Sequence, residues 1–140
     1  MIVKQVSVFV ENTVGRLAEL TKILTDNNID LKASTIAETV DFGILRCIVE
    51  DPEKTVKILT ENGFSASISE VTGVSLEDKP GGLHKVLAAL AEAGIAVNYI
   101  YSTIKSAEGK AIIMLKTSDA AKAAEVLKAS GVELAGVDSF

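Results

Sequence analysis

Two short segments carry the residue types that could bind a small anion. Each joins an apolar run to a helical pattern through a polar turn that contains glycine. The first reads Glu11-Asn12-Thr13-Val14-Gly15-Arg16-Leu17, and 66 positions later (11 to 77) the second reads Glu77-Asp78-Lys79-Pro80-Gly81-Gly82-Leu83. Where a strand bends into a helix, unpaired backbone N–H groups converge at the positive end of the helix dipole. The paired turns therefore predict a duplicated ligand-binding module.

The elements that must position these turns follow the order β-α-β-β-α-β in each half. In the first half, the spacing of apolar residues predicts strands at 4–11, 29–37, 43–50 and 64–71, and helices at 15–27 and from Pro52 onward. Asp51 is expected to cap the second helix and Gly63 to end it. The second half repeats the order, with a longer hairpin at 106–109. The predicted fold class is α+β, with two ferredoxin-like domains, 1–71 and 72–140, each an antiparallel sheet with helices on one face.

The central strands indicate how the sheets are buried. Alternation points Leu45, Cys47 and Val49 at the helices. It leaves the following residues on the other face: Ile44, Arg46 and Ile48, and in the second half Ile112, Met114 and Lys116. Because that face is too apolar for water, we expect the other repeat or a partner chain to cover it. Domains of about 70 residues are marginal alone, so a homodimer is also expected.

Composition narrows the function classes. The net charge of −5 and the scarcity of aromatic residues argue against nucleic acid and against an anionic membrane surface. No apolar run approaches about 18 residues, and the segment 1–5 is too polar for a signal peptide. The single cysteine, Cys47, excludes an intrachain disulfide and is expected to be buried and inert. These features predict a cytoplasmic protein.

Side-chain chemistry argues against catalysis. The one histidine, His84, has no cysteine, histidine or carboxylate at metal-ligand spacing, so no metal and no cofactor are expected. No nucleophile–base constellation is present, which predicts a protein that is not an enzyme. Other β-α-β-β-α-β classes fit less well. An RNA-binding version needs exposed aromatic residues, a copper carrier needs a Cys-x-x-Cys turn, and an acylphosphatase-like site needs a glycine pattern that does not surround Arg16.

The motif itself resembles that of the ACT domain, a small-molecule sensor of amino-acid metabolism. Its pattern is a strand, [Asn/Asp]-x-Pro-Gly-x-Leu, a helix and then Gly/Asn-Ile-x-[Ile/Val]. The segment from Asp78 to Leu83 matches it, and in the segment from Asn12 to Leu17 a valine, Val14, stands in place of proline. The resemblance covers the whole chain as two tandem copies. It is similar to free-standing tandem ACT proteins that carry no catalytic domain.

The resemblance implies a ligand site where two domains meet. One domain would supply the turn, and its neighbour would supply the strand after the first helix. The implied residues are Asn12, Thr13, Val14, Gly15, Arg16, Leu17 and Asp30 in the first copy, and Asp78, Lys79, Pro80, Gly81, Gly82, Leu83 and Asn98 in the second. Ala96 stands at the position of Asp30, and Asn98 lies two residues beyond it. Residues 33–36 or 99–102 could shape a side-chain pocket.

An amino acid has chemistry that suits these residue types. Its carboxylate would accept from N–H groups next to Gly15 or Gly81, because glycine lets a ligand approach the backbone closely. Its ammonium would bind an oxygen of Asn12 or Asp78, or the charge of Asp30. The simpler alternatives are that the glycines only form turns, that Asn12 and Asp78 only cap helices, and that Arg16 and Asp30 are solvated surface residues.

The resulting hypothesis is a non-catalytic regulatory protein that binds a small amino acid or a related metabolite. Binding at domain interfaces would bias the arrangement of the domains. The alternative is an interaction subunit that docks on an amino-acid biosynthetic enzyme, with ligand binding lost or secondary. The departures from the motif at Val14 and Ala96 motivate that alternative.

Overall fold

The predicted order of strands and helices is present twice in the computed structural model, which describes residues 2–140. The first set comprises β1 (Ile2–Glu11), α1 (Arg16–Asp26), β2 (Ala33–Glu38), β3 (Phe42–Ile48), α2 (Pro52–Glu61) and β4 (Ser65–Glu77). The rest comprises α3 (Gly82–Glu92), β5 (Val97–Ser102), β6 (Lys110–Thr117), α4 (Ala120–Ala129), β7 (Glu133–Leu134) and a 3₁₀ turn (Val137–Ser139). The predicted α+β class with two βαββαβ repeats is confirmed.

Backbone contacts divide the described chain into two compact units. The first unit is Lys4–Ser69, and the second unit is Glu70–Phe140 together with Ile2 and Val3. Strand β4 runs without interruption through the change of unit, in agreement with the lack of a Pro/Gly/Ser linker in the sequence. The assignment of domains to 1–71 and 72–140 stays a prediction.

In the first unit the strand order is β2-β3-β1-β4. Val8 pairs with Leu45 between β1 and β3, and Ala33 pairs with Ile48 between β2 and β3, both antiparallel. The core between this sheet and its helices contains the buried side chains of Val6, Val8, Val10, Leu20, Leu24, Leu45, Cys47, Val49, Leu59 and Phe64. The predicted helix-facing side of β3 is therefore confirmed.

The second unit repeats this architecture in the order β5-β6-β4, with β7 on the other side of β4. Its core contains Val74, Leu76, Val86, Leu90, Ile95, Leu115, Ala123 and Leu127. Ile112 and Met114, which alternation places on the opposite face of β6, are only 4% and 0% exposed. Ile48 on the corresponding face of β3 is also buried, whereas Ile44, Arg46 and Lys116 are half-buried. The apolar face that the sequence predicts is thus only partly withdrawn from water.

The chain closes the N-termini of α2 and α4 with carboxylates. The side chains of Asp51 and Asp119 accept from the N–H groups of Lys54 and Lys122, each at 3.0 Å. Pro52 takes the first helical position, where its missing N–H costs nothing. The predicted cap at Asp51 is confirmed. No helix within residues 2–140 has both the length and the apolar character needed to cross a bilayer.

Candidate ligand-binding turns

The helices α1 and α3 begin differently from α2 and α4. Their N-cap residues are Gly15 and Gly81, which have φ angles of 86° and 90°, and no side chain caps either helix. This left-handed conformation costs residues with a Cβ roughly 1–2 kcal/mol. The N–H groups of Arg16 and Gly82 donate to the carbonyls of Thr13 and Lys79 at 3.3 and 3.1 Å. Since the Asp caps of the other two helices have no counterpart here, the next two amides of each helix are offered to an external acceptor. These amides belong to Leu17 and Ala18 in α1 and to Leu83 and His84 in α3.

Asn12 and Asp78 do not cap these helices; they attach the turns to the neighbouring hairpins. The Asn12 N–H donates to the carbonyl of Asp41 at 3.0 Å, and its Nδ2 donates to the carbonyl of Val40 at 3.3 Å. The Asp78 N–H donates to the carbonyl of Gly109 at 3.1 Å. The turns are therefore held by their backbones, and the side-chain oxygens of Asn12 and Asp78 stay available as acceptors.

In the first unit the turn lies beside the edge strand β2. A small pocket of 110 Å³ is lined by Val10, Glu11, Asn12, Thr13, Leu17, Ile36, Glu38 and Gly43. A more apolar pocket of 170 Å³ is lined by Leu17, Thr21, Leu31, Ser34, Thr35, Ile36 and Leu45. The structure thus brings Asn12, Thr13 and Leu17 close to the predicted pocket residues 33–36, whereas Val14 points into solvent. Both pockets are smaller than the usual 300–1,000 Å³ or so, so a further surface would have to enclose a ligand.

The side chain of Arg16 lines neither of these two pockets and instead contacts Phe64, which follows α2. Its guanidinium carbon is 3.8 Å from the centre of the Phe64 ring. Its Nε donates to Glu11 at 2.6 Å, and its Nη1 donates to Glu19 at 3.0 Å. The hydrogen bond from Arg16 holds the pKa of Glu11 below its ordinary value, and the two carboxylates raise the pKa of Arg16. The charge of Arg16 is therefore balanced within its own unit.

The second turn opens onto a larger cleft of 510 Å³. Its lining residues are Ser75, Leu76, Glu77, Lys79, Pro80, Gly81, Gly82, Lys85, Val86, Lys110, Gly131, Val132 and Glu133. Lys79 forms an ion pair with Glu77, and Lys110 lies 3.4 Å from Glu133. The bond from Lys79, assisted by the charges of Lys110 and Lys85, lowers the pKa of Glu77. Of the predicted residues, the structure brings Lys79, Pro80, Gly81 and Gly82 together here.

The sequence reading missed Lys85, Lys110 and Glu133. Lys85 follows Gly82 by three residues, a spacing that places both on one face of a helix. Lys110 pairs directly with Glu77 between β6 and β4, but this register depends on the longer hairpin. Helical spacing could have found Lys85, whereas only the strand pairing reveals Lys110.

Asp30 lies away from the first turn. It lines an open groove of 630 Å³ together with Asn28, Ile29, Lys32, Glu50, Asp51, Pro52, Glu53, Lys54 and Thr55. β1 reaches β3 at the pair Glu11–Phe42, whereas the start of β2 reaches it at Ala33–Ile48, about 20 Å further along the strand. One unit therefore does not bring Asn12 and Asp30 together.

Asn98 occupies the matching end of the second unit. It is exposed, and the pairing of β5 with β6 is irregular between Val97 and Tyr99. Its neighbours Tyr99 and Tyr101 stack with ring centres 6.4 Å apart. Like Asp30, Asn98 is distant from the turn of its own unit, so both residues could reach a turn only in a neighbouring module.

The thiol of Cys47 is buried, and burial raises its pKa to about 12. Across residues 2–140 no group of three or more His, Cys, Asp or Glu side chains is arranged to hold a metal ion.

Comparison with known proteins agrees with this architecture. A family model described as an ACT domain pair matches residues 1–137. The crystal structure of protein BT0572 from Bacteroides thetaiotaomicron is 44% identical, with a TM-score of 0.90 over 96% of this chain and 92% of that one. No curated protein matches the chain.

Two more distant structures share the fold. The ligand-free regulatory subunit of aspartate kinase from Thermus thermophilus has 15% identity and a TM-score of 0.66, covering 91% of each chain. The corresponding subunit from Thermus flavus has 14% identity and a TM-score of 0.61, covering 91% of this chain and 92% of that one. At such identities the likeness concerns the fold alone.

Proposed function

This chain belongs to the ACT domain pair family, and from that premise we propose that it is a non-catalytic regulatory protein that binds a small amino acid or a related metabolite at its strand–helix turns. One observation carries the proposal. The chain caps α2 and α4 with Asp51 and Asp119, yet it begins α1 and α3 with uncapped glycines. Helix N-termini left open in this way favour an anionic group such as a carboxylate.

In the proposed complex, backbone N–H groups bind the carboxylate of the amino acid, and a side-chain oxygen binds its ammonium group. The carboxylate accepts from the open first-turn amides, those of Leu17 and Ala18 in α1 or of Leu83 and His84 in α3. The ammonium donates to the free Oδ1 of Asn12 or to the carboxylate of Asp78. Thr13, Val14 and Leu17, or Lys79, Pro80 and Leu83, flank the ligand. Arg16 is committed to Glu11 and Glu19, so in this scheme it closes the turn rather than binds the ligand.

A neighbouring module completes each site in this proposal. Asp30 and Asn98 lie too far from the turns of their own units to contact the same ligand. Edge strands β2 and β5 expose Ile36 and Ile100 at 42% and 38%, which favours pairing of the protein with a second copy. A ligand held between modules would bias their arrangement, and a coupling of roughly 1–3 kcal/mol suffices for regulation.

The direct test is a screen of the twenty amino acids by thermal shift, followed by calorimetry of those that stabilise the protein. Ligand at about 100 times its Kd should add about 2.7 kcal/mol to the free energy of unfolding. Asn12→Ala and Asp78→Ala should weaken binding, whereas Asp26→Ala, an exposed aspartate at the far end of α1, should not. Absence of stabilisation by every amino acid would refute the proposal.

The alternative function, docking on a biosynthetic enzyme, is favoured by one exposed aromatic pair. Phe9 and Phe42 are 50% and 39% exposed, with ring centres 5.4 Å apart, and Val40 in the adjoining hairpin is 90% exposed. Apolar patches of this kind often contact another protein. Affinity capture with the wild type and with a Phe9→Ser, Phe42→Ser variant would test this alternative. It requires an amino-acid biosynthetic enzyme that only the wild type retains.

A further inference from the structure

The space between the first helix of each unit and the segment after its second helix is filled by side chains in the first unit and open in the second. In the first unit, Arg16 and Phe64 contact each other and close the space between the start of α1 and the segment after α2. In the second unit, Gly82 and Val132 stand at these positions and line the open cleft of 510 Å³. The second unit therefore lacks both side chains that fill this space in the first.

The backbone keeps the cleft open at Gly82. A Cβ built on this glycine would lie 2.2 Å from the carbonyl oxygen of Glu77, far inside a normal contact. No side chain can occupy position 82 unless the end of β4 moves. The opening is thus a property of the local fold, and a simple Gly82→Arg replacement would not restore the closed arrangement of Arg16.

The charged residues around this space also differ between the two units. The first unit places Glu11, Arg16 and Glu19 around the closed position, a net charge of −1. In the second unit, lysines replace three residues of the first: Lys79 for Thr13, Lys85 for Glu19 and Lys110 for Phe42. With Glu77 and Glu133, the cleft carries three positive and two negative charges, a net of +1. The exchange favours an anion and disfavours a cation such as a second guanidinium.

Lys85 is the cleft lysine that can respond to a ligand. Lys79 pairs with Glu77 and Lys110 with Glu133, whereas among residues 2–140 no carboxylate forms an ion pair with Lys85 within 4 Å. The charge of Lys85 still contributes to the lowered pKa of Glu77 from a greater distance. Lys85 and Gly82 lie on the same face of α3, so the ammonium can reach the space above Gly82. A cleft volume of 510 Å³ lies within the usual range of about 300–1,000 Å³ for small-molecule pockets.

We propose that this cleft of the second unit binds a small multivalent anion, a metabolite with at least two carboxylate or phosphate groups, held by Lys79, Lys85 and Lys110. The first unit has no equivalent site because Arg16 and Phe64 fill the space. The cleft shares the turn from Lys79 to Gly82 with the proposed amino-acid site, but the anion is held by lysines and does not use Asp78.

The test is calorimetric titration of the full chain with sodium citrate and, separately, sodium pyrophosphate at low ionic strength. At least one anion should bind the wild type, and the two titrations distinguish carboxylate from phosphate ligands. Lys85→Gln should weaken binding about tenfold, and Lys85→Glu, which introduces the residue type of Glu19, should abolish it. The matched control is Lys122→Gln in the first turn of α4, at the opposite end of this helix from the cleft residues 131–133. This variant should bind like the wild type.

Two results would overturn the proposal. One is that the wild type binds neither anion up to about 10 mM, which corresponds to almost no useful affinity. The other is that Lys85→Gln and Lys122→Gln weaken binding equally, which would indicate a diffuse charge effect. Asp78→Ala keeps the two sites distinguishable, since Asp78 does not line the cleft. This variant should weaken amino-acid binding and keep anion binding, and loss of anion binding would contradict an anion site that is independent of Asp78.

Discussion

The guanidinium of Arg16 lies 3.8 Å from the centre of the Phe64 ring. Cationic groups stack favourably on aromatic faces, and the contact is reinforced by the bonds of Arg16 to Glu11 and Glu19. Phe64 is only 3% exposed, so this arrangement both covers the aromatic ring and closes the first unit beside its turn. The equivalent pair in the second unit, Gly82 and Val132, leaves a cleft.

Truncation of Phe64 should therefore lower the free energy of unfolding more than truncation of Val132, its counterpart in the second unit. Phe64→Ala removes a buried ring from the core of the first unit and should lower the free energy of unfolding by about 3–5 kcal/mol. Val132→Ala removes two methyl groups beside an open cleft and should cost about 1 kcal/mol. Urea unfolding of both variants measures the difference. Equal losses would contradict a sealed first unit and an open second one.

The ion pair of Glu11 with Arg16 predicts a defined pH dependence. The pKa of Glu11 is lowered from 4.5 in the folded chain, so its ionisation stabilises the fold above pH 4.5. This stability is lost as the pH falls through the lowered pKa, because the protonated carboxyl no longer carries the charge that pairs with Arg16. Urea unfolding from about pH 7 to pH 2 should show a shallower acid loss for Glu11→Gln than for the wild type. In an Arg16→Met background, Glu11→Gln should change the acid loss much less than in the wild type, because the bond from Arg16 is the largest cause of the lowered pKa. An equal effect in both backgrounds would contradict the assignment.

The capped helices provide an independent check on the contrast between helix starts. Asp51→Ala and Asp119→Ala each remove a carboxylate that accepts from a first-turn amide, so each should cost about 1 kcal/mol of unfolding free energy. Asp26→Ala, at the C-terminal end of α1, should change stability by less than about 0.5 kcal/mol because it removes only an exposed pair with Lys22. Losses as small at Asp51 as at Asp26 would argue against the caps.

Burial of Cys47 predicts a thiol that reacts only after unfolding. A thiol with a pKa of about 12 contains almost no thiolate at pH 8, and its side chain lies in the core of the first unit. A disulfide reagent at pH 8 should label the native protein far more slowly than the urea-unfolded protein. Rapid labelling of the native protein would show that the core around Cys47 opens readily.

Much of the fold follows from local signals. The repeated glycine turns, the Asp51-Pro52 helix start and the alternation through β3 each have a short-range physical cause, and each leads to the observed element. The resemblance in the motif then identifies the domain type, since the same backbone geometry recurs at both turns.

The closed space of the first unit and the open cleft of the second could not be predicted from local sequence patterns. Contact between Arg16 and Phe64 joins residues that are distant in sequence, so no local pattern reveals that the first unit is closed. Pairing of Glu77 with Lys110 depends on a β-strand register that a two-residue change in the hairpin alters. Helix capping by Asn12 and Asp78, the simplest local interpretation, is wrong because the glycines three residues later take that position.

Amide chemical shifts provide the most direct test of ligand binding at the uncapped turns. The amino acid that stabilises the protein most is titrated into the ¹⁵N-labelled chain and the backbone resonances are followed. Resonances of the amides around Gly15 or Gly81 should shift with the calorimetric Kd, whereas those of Lys54 and Lys122, which already donate to Asp51 and Asp119, should stay in place. A bound amino acid that shifts no resonance in either turn would contradict the account.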